Sequence, residues 1–117
     1  MGISAISKNE NFPFCLIALS GDQFVGSVLG IEADLNERPA LTPWVAALWV
    51  EPQARRQGIA KALISEALAR IFGQTHSVAY LCAKTDKRHY YERAGWQLIE
   101  QNVGPNGLDV FKLCAKQ

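Results

Sequence analysis

Residues 48–72 constrain the fold of this chain more than any other stretch. They read LWVEPQARRQGIAKALISEALARIF: an apolar strand that ends at Pro52, a basic loop with one glycine, and a long amphipathic helix. A strand that turns through such a loop into a helix aims the unpaired N–H groups of the helix N-terminus at one point, which suits an anion. Arg55 and Arg56 lie at the entrance. The stretch therefore predicts a phosphate or pyrophosphate ligand.

The helical half of this stretch is predicted to pack on a sheet. Its apolar side chains recur at the i, i+3, i+4, i+7 spacing of an amphipathic helix. They are Ala60, Leu63, Ile64, Ala67, Leu68 and Ile71. Glu66 and Arg70 form an i, i+4 pair on the outer surface, and Gly73 is a good C′ residue just beyond the helix.

Apolar runs of strand length flank this unit on both sides. We predict strands at residues 14–19, 24–33, 44–50, 77–83, 96–100 and 108–115, a short helix at residues 87–94, and a weak edge strand at residues 3–7. Asn106-Gly107 is the strongest hairpin signal. A strand–helix–strand unit over residues 44–83 requires a parallel pair, whereas the hairpins require antiparallel edges. The predicted fold class is therefore α/β or α+β with a mixed sheet.

Composition excludes several classes of function. The 117 residues suit one domain, residues 1–117, and 49% of them are hydrophobic, which is enough for a sizeable core. A net charge of +1 gives no field for nucleic acid or an anionic membrane. Cys15, Cys82 and Cys114 show no disulfide or zinc spacing, so we expect no metal and a reducing, cytoplasmic environment. No signal peptide is recognisable, and no apolar run reaches the roughly 18 residues that span a bilayer.

The basic loop at residues 55–60 has two interpretations on its own. It is not a Walker loop, because no Gly-Lys-Ser/Thr follows, and it lacks the GxGxxG pattern of dinucleotide sites. Either Gly58 lets the backbone approach a bulky anion, or the loop is a tight strand-to-helix turn with two solvated arginines. The loop alone favours neither.

Two blocks of the sequence together resemble the GNAT superfamily of N-acetyltransferases. The first, VEPQARRQGIAKAL, resembles the acyl-CoA loop of that family, whose pattern Gln/Arg-x-x-Gly-x-Gly/Ala is matched by Arg55, Gly58 and Ala60. The second, YYERAGW at residues 90–96, resembles the family segment Phe-Tyr-Glu-Lys-x-Gly-Phe. The order of the blocks and of the predicted elements agrees over residues 14–111. The resemblance implies a mostly antiparallel central sheet with one splayed parallel strand pair.

The resemblance also implies a binding site for acetyl-CoA. Backbone amides at residues 57–60 would hold the pyrophosphate beside the two arginines, and residues 48–50 would pair with the pantetheine arm as an added strand. An N–H near Val50 would polarise the thioester carbonyl. Lys84, and likewise Lys87, could reach a CoA phosphate or be solvated. The implied cofactor-binding residues are Leu48, Trp49, Val50, Arg55, Arg56, Gln57, Gly58, Ile59, Ala60 and Lys84.

Tyr91 is the implied catalytic residue. It occupies the position of the family tyrosine that donates a proton to the leaving thiolate, and a phenol with a pKa of about 10 suits that role. The alternative is a half-buried tyrosine packed between the short helix and the sheet. The implied acceptor is a small-molecule or peptide amine that attacks the thioester directly in a ternary complex.

The general base is unassigned at this point. Many relatives carry a glutamate on the strand before the loop, but the comparable positions here are Trp44 and Ala46. Glu32, Asp34 and Glu37 lie just upstream and could face the cleft or be solvated loop carboxylates. A water chain, or an acceptor that arrives already neutral, would also serve.

The sequence before the first hairpin also differs from the family pattern. Family members usually have a strand and two helices there, whereas about a dozen residues precede Phe14 in this chain. An uncovered apolar sheet face is unfavourable at roughly 25 cal/mol per Å². We therefore expect a homodimer.

Three hypotheses follow from these observations. The first is an acetyl-CoA-dependent N-acetyltransferase. The second, motivated by the missing base and the short N-terminal region, is an acyl-CoA-binding module without catalysis. The third is an interaction domain whose basic loop binds nothing.

Overall fold

The structure, a computed structural model, describes residues 2–5, 12–74 and 76–116. Its strands are β1 (Gly2–Ala5), β2 (Phe14–Ser20), β3 (Gln23–Ile31), β4 (Trp44–Val50), β5 (Val78–Ala83), β6 (Gln97–Val103) and β7 (Leu108–Cys114). Its helices are α1 (Ile59–Gly73) and α2 (Arg88–Arg93), and 3-10 turns precede them at Pro52–Ala54 and Thr85–Lys87. Neither α1 nor α2, the helices of this described part, is long and apolar enough to cross a membrane.

The strands form one sheet in the order β1-β2-β3-β4-β5-β7-β6. Every neighbouring pair is antiparallel except β4 and β5, which are parallel and are connected through α1. The predicted fold class, a mixed and mostly antiparallel sheet with one parallel pair, is confirmed.

Some element boundaries differ from the sequence predictions. Gly73 is the last residue of α1 and Gln74 is the C-cap, so Gly73 is not the C′ residue. β6 continues beyond residue 100 to Val103, because its pairing with β7 resumes after register shifts. The predicted edge strand pairs with β2 over residues 2–5, and its predicted last two residues, 6 and 7, lie outside the described residues.

Alternation along the strands divides the buried side chains between two faces of the sheet. On the face termed the helical face, α1 packs over β2, β3 and β4, and α2 packs beside β6. Leu63 and Ile71 of α1 are fully buried there together with Phe14 and Phe111. The ring of Phe14 lies so close to Gly30 that a Cβ on that glycine would come within 2.2 Å of it. Glycine is therefore required at this position in β3.

The loop of residues 32–43 between β3 and β4, termed the strap, lies across the opposite face. Leu35 is buried there against Trp44, whose indole Nε1 donates to the carbonyl of Leu41 at 2.5 Å. Arg38 of the strap binds Glu100 of β6 through Nε at 2.8 Å and also through Nη2. The strap therefore covers the part of this face formed by β4, β5 and β7.

Candidate active site

A gap separates β4 from β5 beyond their first residues. The register of these two fully described strands contains the one pair Trp44–Tyr80, next to a hydrogen bond from the Tyr80 N–H to the Pro43 carbonyl at 3.0 Å. A cavity of about 240 Å³ lies between the diverging strands. It is lined by Val45, Ala46, Ala47, Leu48, Ile64, Leu81, Cys82 and Tyr91. The splayed pair is therefore present, and the opening has side chains from both faces.

A β-bulge in β4 accompanies this gap. The register shifts between Ser27 and Leu29 of β3, so that two β4 residues, Ala47 and Leu48, face Val28. Ala47 has a φ of 51°, in the left-handed region that costs an L-residue roughly 1–2 kcal/mol. A bulge bends its strand and increases its twist. We attribute the divergence of β4 from β5 to this bulge.

A larger cavity of about 970 Å³ adjoins the gap on the side of the α1 N-terminus. It is lined by Leu48, Trp49, Val50, Ala54, Arg55, Arg56, Gly58, Ile59, Ala60, Lys61, Asp86, Lys87, Tyr90 and Tyr91. Leu48 and Tyr91 line both cavities. One continuous site therefore extends from the start of α1 to the opening between β4 and β5.

The loop before α1 presents backbone donors to this larger cavity. Arg56 and Gly58 have positive φ values of 65° and 81°, and Gly58 is the N-cap of α1. The first backbone bond across the helix start runs from the Ala62 N–H to the Gly58 carbonyl at 3.0 Å. The preceding N–H groups have no partner within the helix, and no acidic residue occupies its first turn. This arrangement fits an anion.

Arg55 is tied to the end of β4. Its Nε donates to the Val50 carbonyl at 2.9 Å, and its guanidinium lies 5.0 Å from the centre of the Trp49 ring. The next N–H, from Glu51, donates to Val25 of β3 at 2.9 Å. Since successive backbone groups of a strand point to opposite sides, those of Val50 are directed away from β3 and toward the gap.

The lining of the larger cavity is locally basic. Arg55, Arg56, Lys61 and Lys87 contribute positive charges, against one acidic residue, Asp86. This excess occurs in a chain whose total net charge is only +1. A cleft lined by one sign of charge concentrates ligands of the opposite sign. The cavity is therefore suited to a ligand with several phosphates.

Tyr91 lies at the junction of the two cavities. Its side chain is 8% exposed, and its ring packs edge-on against Tyr90 and tilted against Phe111, with centroid distances of 5.1 and 5.5 Å. Burial raises the pKa of Tyr91 to about 12, and the nearby Tyr90 and Cys82 add to the effect. The phenol is therefore protonated throughout the neutral pH range.

The structure brings together most of the residues predicted from the sequence. Leu48, Trp49, Val50, Arg55, Arg56, Gly58, Ile59, Ala60 and Tyr91 all line the larger cavity. Gln57 and Lys84 are not part of that lining, whereas Lys87 is. Sequence reasoning missed Ala54, Lys61 and Asp86. The place of Lys61 in the first turn of α1 was the available signal for that residue.

The strap positions one carboxylate near the gap. The Sγ of Cys82, a residue that lines the smaller cavity, donates to Oδ2 of Asp34 at 3.4 Å. Burial, followed by the charge of Asp34, raises the pKa of the Cys82 thiol to about 12. Glu37 instead lies near the β6–β7 turn, where a Cβ built on Gly104 would come within 3.1 Å of its Oε1. Glu32 is exposed.

Comparison with known proteins identifies a family domain. The model of the acetyltransferase (GNAT) domain matches residues 11–98. No curated protein matches the chain by sequence.

Solved structures with the same fold have low sequence identity to this chain. A GNAT family acetyltransferase from Elizabethkingia anophelis, with acetyl-CoA bound, aligns with a TM-score of 0.73 at 11% identity over 88% of this chain and 76% of that one. An acetyltransferase from Bacillus subtilis in complex with CoA gives 0.69 at 14% identity over 89% and 78%. An IAA acetyltransferase from Bacillus cereus gives 0.73 at 13% identity over 88% and 78%. These similarities establish the fold.

Proposed function

The chain belongs to the GNAT family of acetyltransferases, and from this premise we propose that it transfers the acetyl group of acetyl-CoA to a primary amine. The reaction is a direct attack of the amine on the thioester in a ternary complex. The acceptor is a small molecule or a peptide. The observation that carries this proposal is the continuous site, which joins a basic helix N-terminus to a buried tyrosine beside the gap between β4 and β5.

The diphosphate of acetyl-CoA is assigned to the loop before α1. The N–H groups at residues 57–60 are directed by the positive φ values of Arg56 and Gly58 and by the start of the helix. Arg56 and Lys61 add charge at the same end of the cavity. Lys87 is a better candidate than Lys84 for an additional phosphate contact, because only Lys87 belongs to the lining.

The pantetheine arm is assigned to residues 48–50. The Val50 N–H is directed into the gap, so it is available to polarise the thioester carbonyl as negative charge develops on its oxygen. The Val50 carbonyl already accepts a hydrogen bond from Arg55. Binding of the arm to that carbonyl therefore requires either a shared acceptor or a shift of Arg55.

Tyr91 is assigned as the donor to the leaving sulfur. When the amine attacks, the C–N bond forms, the C–S bond breaks, and its electron pair stays on sulfur. A phenol that remains protonated at neutral pH can donate a hydrogen bond, and then its proton, to this thiolate. Because the pKa of Tyr91 is about 12, activity should not decline through ionisation of this group between pH 8 and 10.

The test is release of CoA thiol from acetyl-CoA with a panel of amines. Tyr91→Phe keeps the ring that packs on Phe111 and removes the donor. We expect kcat to fall about 10²-fold or more, with acetyl-CoA affinity, measured by calorimetry, within twofold of the wild type. Tight acetyl-CoA binding without transfer to any amine would favour the binding-module hypothesis, and no heat of binding would favour the interaction-domain hypothesis.

A further inference from the structure

We propose that Asp34 is the general base that accepts a proton from the acceptor amine. This inference rests on the proposed function, because it concerns the acceptor side of the same site. β4 carries no ionisable residue, so a side-chain base has to come from another element. The strap supplies one, and its carboxylate contacts a residue that lines the opening between β4 and β5.

The opening is accessible to groups from both faces of the sheet. Along β5, Leu81 packs with the helical face and Cys82 with the strap face, and both line the smaller cavity. Tyr91 approaches from the helical face and Asp34 from the strap face. A proton donor to sulfur and a proton acceptor from nitrogen thus lie on opposite sides of the opening, so that each can serve a different atom of the reaction.

Two contacts on the strap hold Asp34 in place. Leu35, the next residue, is 8% exposed and packs against Trp44 and Val110. Arg38 is bound to Glu100 of β6 through two hydrogen bonds. The other carboxylates nearby lie elsewhere: Glu100 binds Arg38, and Glu37 lies near Gly104. Asp34 is the strap carboxylate that contacts the lining of the opening.

The Cys82 thiol assists Asp34 without reacting itself. A thiol whose pKa is about 12 is neutral at physiological pH, so it donates a hydrogen bond and is a poor nucleophile. Its hydrogen bond orients Oδ2 and leaves the other oxygen for the amine. The other titratable groups of the strap and of the strap face of its neighbouring strands are Tyr80 of β5, Lys112 of β7, the Arg38–Glu100 pair, and Glu32 and Glu37. Asp109 of β7 is buried and paired with Arg88.

Two protons leave the acceptor nitrogen during the proposed reaction. The acceptor enters as an ammonium ion, and Asp34 takes one proton from it, directly or through a water, which frees the nitrogen lone pair. The nitrogen attacks the thioester carbonyl, the C–N bond forms, and the C–S bond breaks with its electron pair on sulfur. The nitrogen loses a second proton as the tetrahedral intermediate collapses. That second proton leaves to water, Tyr91 recovers from water the proton that it gives to the thiolate, and Asp34 releases its own proton to bulk water, so that one proton is released in total.

The experiment compares Asp34→Asn, Asp34→Glu and Glu32→Gln with the wild type, using an amine that the panel identifies as a substrate. We expect Asp34→Asn to lower kcat at pH 7 by about 10²-fold and Asp34→Glu to restore part of the loss. Glu32→Gln, which removes an exposed carboxylate of the same loop, should stay within twofold. The difference in kcat between Asp34→Asn and the wild type should become smaller as the pH approaches the pKa of the amine, near 10.4 for a lysine-like amine. At that pH the acceptor arrives neutral and needs no base. Its acetyl-CoA affinity and Tm should match the wild type.

Each outcome separates this inference from the proposed function. An active wild type with an equally active Asp34→Asn variant, or with a deficit that does not change with pH, would overturn the assignment of Asp34 and leave the acetyltransferase proposal standing. A wild type that binds acetyl-CoA and acetylates no amine would overturn both. A selective, pH-dependent loss in Asp34→Asn would establish the assignment.

Discussion

Two arginine–carboxylate pairs hold the two sides of the opening between β4 and β5, and they differ in burial. Arg88, the first residue of α2, binds both oxygens of Asp109 on β7 at 2.8 and 2.9 Å, and the Asp109 side chain is fully buried. Arg38 of the strap binds both oxygens of Glu100 on β6, but these side chains are 37% and 38% exposed. The first pair fastens the helix that carries Tyr91, and the second fastens the loop that carries Asp34.

Because the two pairs differ in burial, we expect one to contribute mainly to stability and the other mainly to the position of its loop. A fully buried carboxylate that loses its partner is strongly destabilising, because its charge stays desolvated. An exposed pair is screened by water and contributes little to stability. We therefore expect the α2 side of the opening to depend on its ion pair for folding, and the strap side to depend on its pair mainly for geometry.

The largest expected effect is that of Arg88→Ala. Removing the guanidinium leaves Asp109 charged and buried, so Tm should fall by roughly 10 °C or more. Arg93→Ala, at the exposed end of the same helix, is the matched control and should shift Tm by less than about 2 °C. The double variant Arg88→Met/Asp109→Leu should recover much of the loss, because it removes the buried charge as well. Equal Tm values for Arg88→Ala and Arg93→Ala would remove the contrast between the two pairs.

An intermediate effect is expected from Glu100→Gln, and it should appear in acceptor kinetics rather than in stability. The Tm should change by less than about 4 °C, because the pair is exposed. If the strap positions Asp34, kcat with the amine should fall several-fold while acetyl-CoA affinity stays the same. Calorimetry and steady-state kinetics on one preparation measure both quantities. A parallel loss of acetyl-CoA binding would show that the two sides of the site are not independent.

The smallest expected effect is the contribution of Glu100 to the loss of thermal stability at acid pH. The hydrogen bond from Arg38 lowers the pKa of Glu100 below its ordinary value of 4.5. A carboxylate with a lowered folded-state pKa contributes stability above its unfolded pKa and loses it as the pH falls through the folded value. Thermal unfolding from pH 6 to pH 3 should therefore show a loss of stability below pH 4.5 that is slightly smaller in Glu100→Gln than in the wild type. Identical curves for the two proteins would contradict this assignment.

Much of the larger cavity at its α1 end could be predicted from the sequence, because β4, the loop and α1 are continuous in the chain. The continuous apolar run and the 3.6-residue period located β4 and α1, and Gly58 marked the turn between them. The bulge at Ala47 could not be predicted, because seven apolar residues in a row carry no sign of a left-handed residue. Asp34 remained one of three equivalent loop carboxylates until its contact with Cys82, at a separation of 48 residues, was known.

The sequence by itself determined the basic loop and the helix that follows it. Unpaired N–H groups at a helix start are a consequence of local backbone geometry, so the strand–loop–helix stretch of residues 48–72 predicted an anion site before any contact between distant segments was known. Tertiary structure decided how wide β4 and β5 separate and which side chains reach the opening. Those outcomes depend on the bulge against β3 and on pairs such as Arg38–Glu100, 62 residues apart, and Arg88–Asp109, 21 apart. No local pattern encodes such distances, because the partners meet only after the sheet has brought their strands together.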